Sequence, residues 1–139
     1  MFESTFTWND LQFMLQGAWV TILLTVVSMF IGTLAGVVCG MARALLPRST
    51  IPLAWLLDVF RSVPLLIQFV LFNALKSIVG LNWSAFAVAC VVLGLYVTAY
   101  CTEIVRSGVL SVPLSLRRAS RSLGLTYWQG LRQIVMPMA

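Results

Sequence analysis

The 139-residue chain is 60% hydrophobic and 9% charged, with a formal net charge of +5, a balance that excludes a water-soluble globular domain, which would expose far more charge. With no histidine, His-based metal sites and Ser-His-Asp or Cys-His catalysis are excluded; without a G-x-x-x-x-G-K-[ST] loop the chain does not hydrolyse nucleotide by that route. The basic residues flank apolar runs and form no separate basic domain, so nucleic acid is not an expected partner. Cys39, Cys90 and Cys101 make no C-x-x-C pair and sit in or near apolar runs, so they are expected to pack as small hydrophobes; no metal or cofactor is expected.

Met1–Gln16 is mixed, with Glu3 and Asp10 and no basic residue. A secretory signal needs a positive start, so the apolar run that follows is expected to be a retained span, at about residues 17–42. Ala18–Ala42 is uncharged and long enough for a hydrocarbon core of roughly 30 Å. Arg43 and Arg48 follow immediately, and the positive-inside rule then places the amino terminus outside the cell. Gly32, Gly36 and Gly40 lie four apart, with Ala35 beside them, a small-residue stripe suited to close helix packing; a pore-lining role for it stays open.

Pro47 and Pro52 bracket a short turn before a second segment at about 53–79, interrupted by Asp58, Arg61, Pro64, Gln68 and Asn73. Asp58 and Arg61 are three apart and able to pair, which offsets a cost of about 2.5–3.5 kcal/mol for a lone charge at a span's centre. Pro64 lacks the N–H that would reach the carbonyl of Phe60, so a kink is expected there. Either Leu53–Phe60 is a separate cytoplasmic-side helix with the span starting near Ser62, or the segment is one long kinked span. Lys76 is expected to snorkel outward, and Gly80–Ser84 to form an outer turn anchored by Trp83. A third span is expected at about 84–105, ending at Glu103 and Arg106, an i,i+3 pair that is either a bland snorkelled pair or part of a gate.

The tail, Arg117–Ala139, is too polar to span a bilayer. Leu116, Ala119, Ser120 and Leu123 recur at helical spacing, with Arg117, Arg118 and Arg121 around the other side. Gly124 interrupts, and a second set follows at Tyr127, Leu131, Ile134 and Val135, closed by Pro137. Two short helices around a glycine corner are expected, on the cytoplasmic side. A helix lying on the lipid surface, its arginines toward anionic headgroups, is the alternative.

Three stretches carry a resemblance. Arg118-Ala119-Ser120, Gly124, Ile134 and Met136-Pro137 stand at the spacings of the E-A-A…G…I-x-L-P loop of permease subunits of ATP-binding-cassette importers. Phe60-Arg61-Ser62-Val63-Pro64-Leu65-Leu66-Ile67-Gln68 looks like the F-R-G-T-P-L-L-V-Q stretch of permeases for polar amino acids. Tyr100–Gly108 is similar to A-Y-x-A-E-I-V-R-G-G, and Val112-Pro113 to the S-V-P turn that follows it.

The resemblance implies an all-α integral membrane protein, a partial type I permease fold of about three transmembrane helices with a cytoplasmic coupling loop at 113–137. It implies one transmembrane domain over 1–139, incomplete at the carboxyl end, since the family typically has five spans. It further implies a multi-pass place in the bacterial inner membrane, and as partners an ATPase subunit, a periplasmic substrate-binding protein and a second permease subunit. Arg118, Ala119, Ser120, Gly124, Ile134 and Pro137 would couple to the ATPase; Arg61, Gln68 and Glu103 are polar candidates for the pathway or gate. The expected function is that of a non-enzymatic permease subunit of an ATP-driven amino-acid importer. The alternatives are a non-conducting assembly or regulatory protein, or an inactive fragment, and a lipid-surface binder with three anchoring spans. Arg118 and Ser120 depart from the family's Glu and Ala, and Arg118 reverses the charge an ATPase cleft would meet.

Overall fold

The first uncharged run forms a helix longer than the expected span. In a computed structural model, which describes residues 7–139, α1 runs over Trp8–Leu45, 38 residues. Its start lies well before residue 17 because Asp10 accepts a hydrogen bond from the Thr7 backbone N–H at 2.9 Å, tying down the first turn with a favourably placed negative charge. At 1.5 Å per residue α1 is about 57 Å long, so it overshoots the hydrocarbon core. Met1–Phe6, including Glu3, lies outside the described residues.

The second segment is two helices. α2 (Ile51–Ser62) and α3 (Leu65–Val79) meet at Val63-Pro64 with a bend of 108°, so the segment is broken rather than one long kinked span. α3 ends where Gly80 takes φ +71°, a left-handed conformation that lets Leu81 N–H reach the Lys76 carbonyl at 2.9 Å. Lys76 Nζ also donates to the Trp83 carbonyl at 3.0 Å, closing the α3–α4 turn. α4 (Ala85–Ser111) starts at Ser84, whose hydroxyl accepts from Ala87 N–H at 3.1 Å, and continues past residue 105 until Pro113 stops it. α1 and α4 are each long and apolar enough to cross a membrane, and the α2–α3 pair is a third, broken candidate. Among the described residues there is no strand.

α1 and α4 form the central contact. Ser28, Gly32, Gly36 and Gly40 are the buried residues of α1, all on one stripe, and it faces α4. A Cβ at Gly36 would sit 2.5 Å from Cys101 Cβ, and one at Gly40 would sit 2.7 Å from the Thr102 carbonyl oxygen. The stripe is therefore packing surface, and the close approach lets Thr98 Oγ1 donate to the Gly32 carbonyl at 3.2 Å. Most other apolar side chains of α1, such as Phe30 and Val38, remain exposed, as surfaces facing lipid or further helices would be. Cys39, Cys90 and Cys101 are free and half-buried.

The tail folds back onto the other end of this pair. α5 (Leu114–Ser122) and α6 (Tyr127–Gly130) flank Gly124, which takes φ +79°; α6 runs directly into a π-helical turn (Leu131–Val135) and α7 (Met136–Met138). Leu131 and Val135 pack on Val109 and Val112, with Met41, Ala44, Leu45 and Leu116 around them. Two expectations are corrected here. Pro137 does not close the helix: the Met136 N–H reaches back to the Leu131 carbonyl, widening the turn before the proline so that the helix carries on through it. Arg117 is not on the outer basic flank. It is half-buried and its Nη2 donates to the Val109 carbonyl, while Leu123 and Ala119 are exposed.

Candidate functional site

The break at Pro64 leaves backbone carbonyls without helical donors. Gln68, one turn beyond the proline and only 2% exposed, supplies them: its Nε2 donates to the Phe60 carbonyl at 2.7 Å and to the Val63 carbonyl at 2.8 Å. Both amide protons are thus spent on the break. Its Oε1 is buried and has no hydrogen-bond partner among the described residues.

A charged cluster joins three helices on the side where α1 ends. Glu103 on α4 accepts from Arg43 of α1 at 2.9 Å, lies 3.3 Å from Arg106 of its own helix and 3.8 Å from Arg61 of α2. Arg61 in turn pairs with Asp58. The two i,i+3 pairs read from the sequence therefore exist, and Glu103 links them. Arg43 completes the cluster with a side chain only 9% exposed. Sequence reasoning used Arg43 only as a topological signal. Its position three residues beyond Gly40 on a stripe facing α4 was the clue that it points into the interface. Of the three pathway candidates, Arg61 and Glu103 are brought together, whereas Gln68 serves the α2–α3 break.

The tail residues divide by exposure. Ser120 is buried against Gly130, where an added Cβ would sit 3.0 Å from the Ser120 hydroxyl. Ile134 is half-buried, while Arg118, Ala119, Gly124 and Pro137 are exposed. Nothing lies within 4 Å of a Cβ built on Gly124, so its constraint is φ alone. Leu123 and Trp128 present exposed apolar surface, Arg118 and Arg121 are exposed as well, and the inner side of the tail rests on α1 and α4.

This arrangement of two packed spans, a broken helix and a folded-back tail coincides with a known family. The sequence pattern of the binding-protein-dependent transport system inner membrane component matches residues 32–139. The chain belongs to this family. Among relatives, the glutamate/aspartate import permease protein GltK of Escherichia coli O6:H1 is 31% identical, over 96% of this chain and 66% of that protein. The probable amino-acid ABC transporter permease protein YckA of Bacillus subtilis strain 168 is 33% identical, over 100% of this chain and 62% of that protein. The fold is shared with the MetNI methionine ABC transporter in an inward-facing conformation, at a TM-score of 0.73 and 23% identity over 95% of this chain and 65% of that one. It is also shared with an amino acid ABC transporter, at a TM-score of 0.66 and 28% identity over 90% of this chain and 62% of that one. In every case this chain spans less than two thirds of the matched protein's length. The importer-permease resemblance of Phe60–Gln68, Tyr100–Gly108 and the tail, and the all-α membrane fold, are thereby borne out.

Proposed function

We propose that this permease-family chain forms part of the translocation path of an ATP-driven importer of polar amino acids and takes its energy from a separate ATPase subunit. The observation that carries the proposal is the tail, whose inner face is packed on the ends of α1 and α4 while Arg118, Ala119, Leu123 and Trp128 face outward. A docking element fixed in this way passes a push from a partner directly to the two long helices. The names of the relatives support an amino-acid substrate.

The same reading assigns Arg118, Ala119, Ser120, Gly124, Ile134 and Pro137 to ATPase coupling, and it expects a periplasmic substrate-binding protein and a second permease subunit as further partners. It places the chain in the bacterial inner membrane with the amino terminus outside. Arg43, Arg48, Arg106 and the tail arginines then lie inside and Lys76 outside, as the positive-inside rule requires. The translocation path would alternate between inward- and outward-facing conformations as the partner binds and releases nucleotide.

Gly124→Val tests the coupling role, because a β-branched residue at φ +79° is strained whatever the space around it. In proteoliposomes holding the importer assembled with its ATPase and binding protein, it is expected to cut substrate-stimulated uptake at least about tenfold, the equivalent of roughly 1.4 kcal/mol. Membrane insertion is expected to persist. Unchanged uptake would remove the tail from the coupling path. A second reading, a non-conducting protein that binds the ATPase for assembly or regulation, is favoured by the cationic Arg118 where the family has Glu. Co-purification with an ATPase fits both readings, whereas substrate-stimulated ATPase activity fits only the importer.

A further inference from the structure

Between the tail and the ends of α1 and α4 lies a cavity of about 140 Å³, walled on its apolar side by Ala44, Leu45 and Val109 and on its polar side by Arg117, Arg121 and Thr126. No carboxylate is among its lining residues, so two arginines border one small space without a counter-charge there. Each is held in a way that leaves donors unused. Arg117 spends Nη2 on the Val109 carbonyl, and no hydrogen bond engages its Nη1 among the described residues; its Nε is buried away from the cavity. The Arg121 guanidinium carbon stands 5.6 Å from the centre of the Tyr127 ring, and no hydrogen bond or ion pair engages its N–H groups among the described residues. Thr126 Oγ1 accepts from the Gln129 N–H at 3.4 Å, which leaves its own proton to donate.

Two arginines that border one space with no acid among its lining residues attract an anion, and a guanidinium matches an oxyanion's geometry. We propose that this cavity is a binding site for a small oxyanion of the phosphate class, gripped by the guanidinium edges of Arg117 and Arg121 with Thr126 as a third donor. The volume suits such a guest, since a cavity of about 150 Å³ accommodates a six-carbon ring. The same chemistry is offered by free phosphate and by the headgroup of an anionic phospholipid. The site rests on geometry alone and stands whether or not the chain takes part in transport. Its occupation would brace the tail against α1 and α4.

Binding of inorganic phosphate to the full chain in a non-ionic detergent, followed by titration calorimetry against equal concentrations of chloride, tests the proposal. Saturable phosphate binding is expected. Arg117→Gln and Arg121→Gln are each expected to weaken it about tenfold or more, as loss of a charge-assisted hydrogen bond implies. Arg132→Gln, which removes an exposed arginine of the same tail that does not line the cavity, is expected to change it less than about twofold. Arg121 is exposed, so its variant keeps the test valid if Arg117→Gln misfolds. A short-chain phosphatidylglycerol that displaces phosphate where phosphatidylcholine does not identifies the headgroup as a ligand. Phosphate binding that phosphatidylglycerol leaves untouched identifies the free anion. Non-saturable binding, equal binding of chloride, or equal losses in all three variants would overturn the site.

Discussion

Pro64 offers no amide hydrogen, and the carbonyls of Phe60 and Val63 sit in an apolar segment where lipid supplies no donor in its place. The side-chain amide of Gln68 takes over that task, and its burial at 2% exposure shows that it is enclosed by the break it caps. Gln68→Leu would leave two half-buried acceptors without their donor, at a cost of up to about 1–3 kcal/mol each. A lower midpoint of denaturation in micelles, with α2 and α3 losing their fixed angle in spin-label distances, is the expected result; an unchanged midpoint would show that the break holds without the amide. Glu103 poses a different question, because three arginines share one carboxylate. In double-mutant cycles with Glu103→Gln, Arg43→Met is expected to show a coupling of about 1–3 kcal/mol, since that pair is the shortest and most enclosed. Arg106→Met, whose side chain is 33% exposed, is expected to couple by less than about 1 kcal/mol. Equal couplings would mean that burial does not set the strength of the cluster.

At the scale of helices, α1 and α4 meet through backbone approach rather than through large interlocking side chains. That contact needs Gly32, Gly36 and Gly40, and it places the Thr98 hydroxyl and the Cys101 thiol of α4 against the Gly32 and Thr33 carbonyls of α1. Gly36→Ala is expected to destabilise the pair by about 1–3 kcal/mol, as overpacking does. Gly17→Ala lies on the same helix with nothing within 4 Å of the added methyl, and is expected to be neutral or to stabilise by up to about 1 kcal/mol. Equal effects in urea titrations of the two variants would refute the stripe as an interface. Much of this was legible beforehand. The four-residue glycine spacing announced the stripe, Pro64 announced the break, and Gly124 announced the corner. The partner of the stripe was not legible, nor was the inward turn of Arg117, because helical periodicity defines faces without saying what lies opposite them.

For the whole molecule, the distribution of arginines and the fold-back of the tail make one consistent picture. The Arg43 end of α1, the Arg106 end of α4 and the tail share one side, with the α3–α4 turn at the opposite end of α4. Orientation follows as a prediction. In a background with Cys39, Cys90 and Cys101 replaced, Ser122→Cys is expected to react with an impermeant maleimide only in inverted vesicles. Leu81→Cys, in the turn before α4, is expected to react only in spheroplasts. The opposite pattern would invert the topology and remove the tail from the reach of a cytoplasmic ATPase.

By itself the sequence determined that this chain lies in a membrane, how many apolar segments it has, where they break and which transporter family it resembles. Those properties are local: hydropathy, proline and glycine chemistry, and short motifs act within a few residues of one another. Only the tertiary structure decided that Arg43 joins Arg61 and Arg106 on Glu103, that Gln68 caps the α2–α3 break, and that the tail borders a cavity lined by Arg117 and Arg121. Each of these depends on which helix faces are brought together, and that depends on how closely two backbones approach, which in α1 and α4 is set by the absence of a Cβ at three glycines.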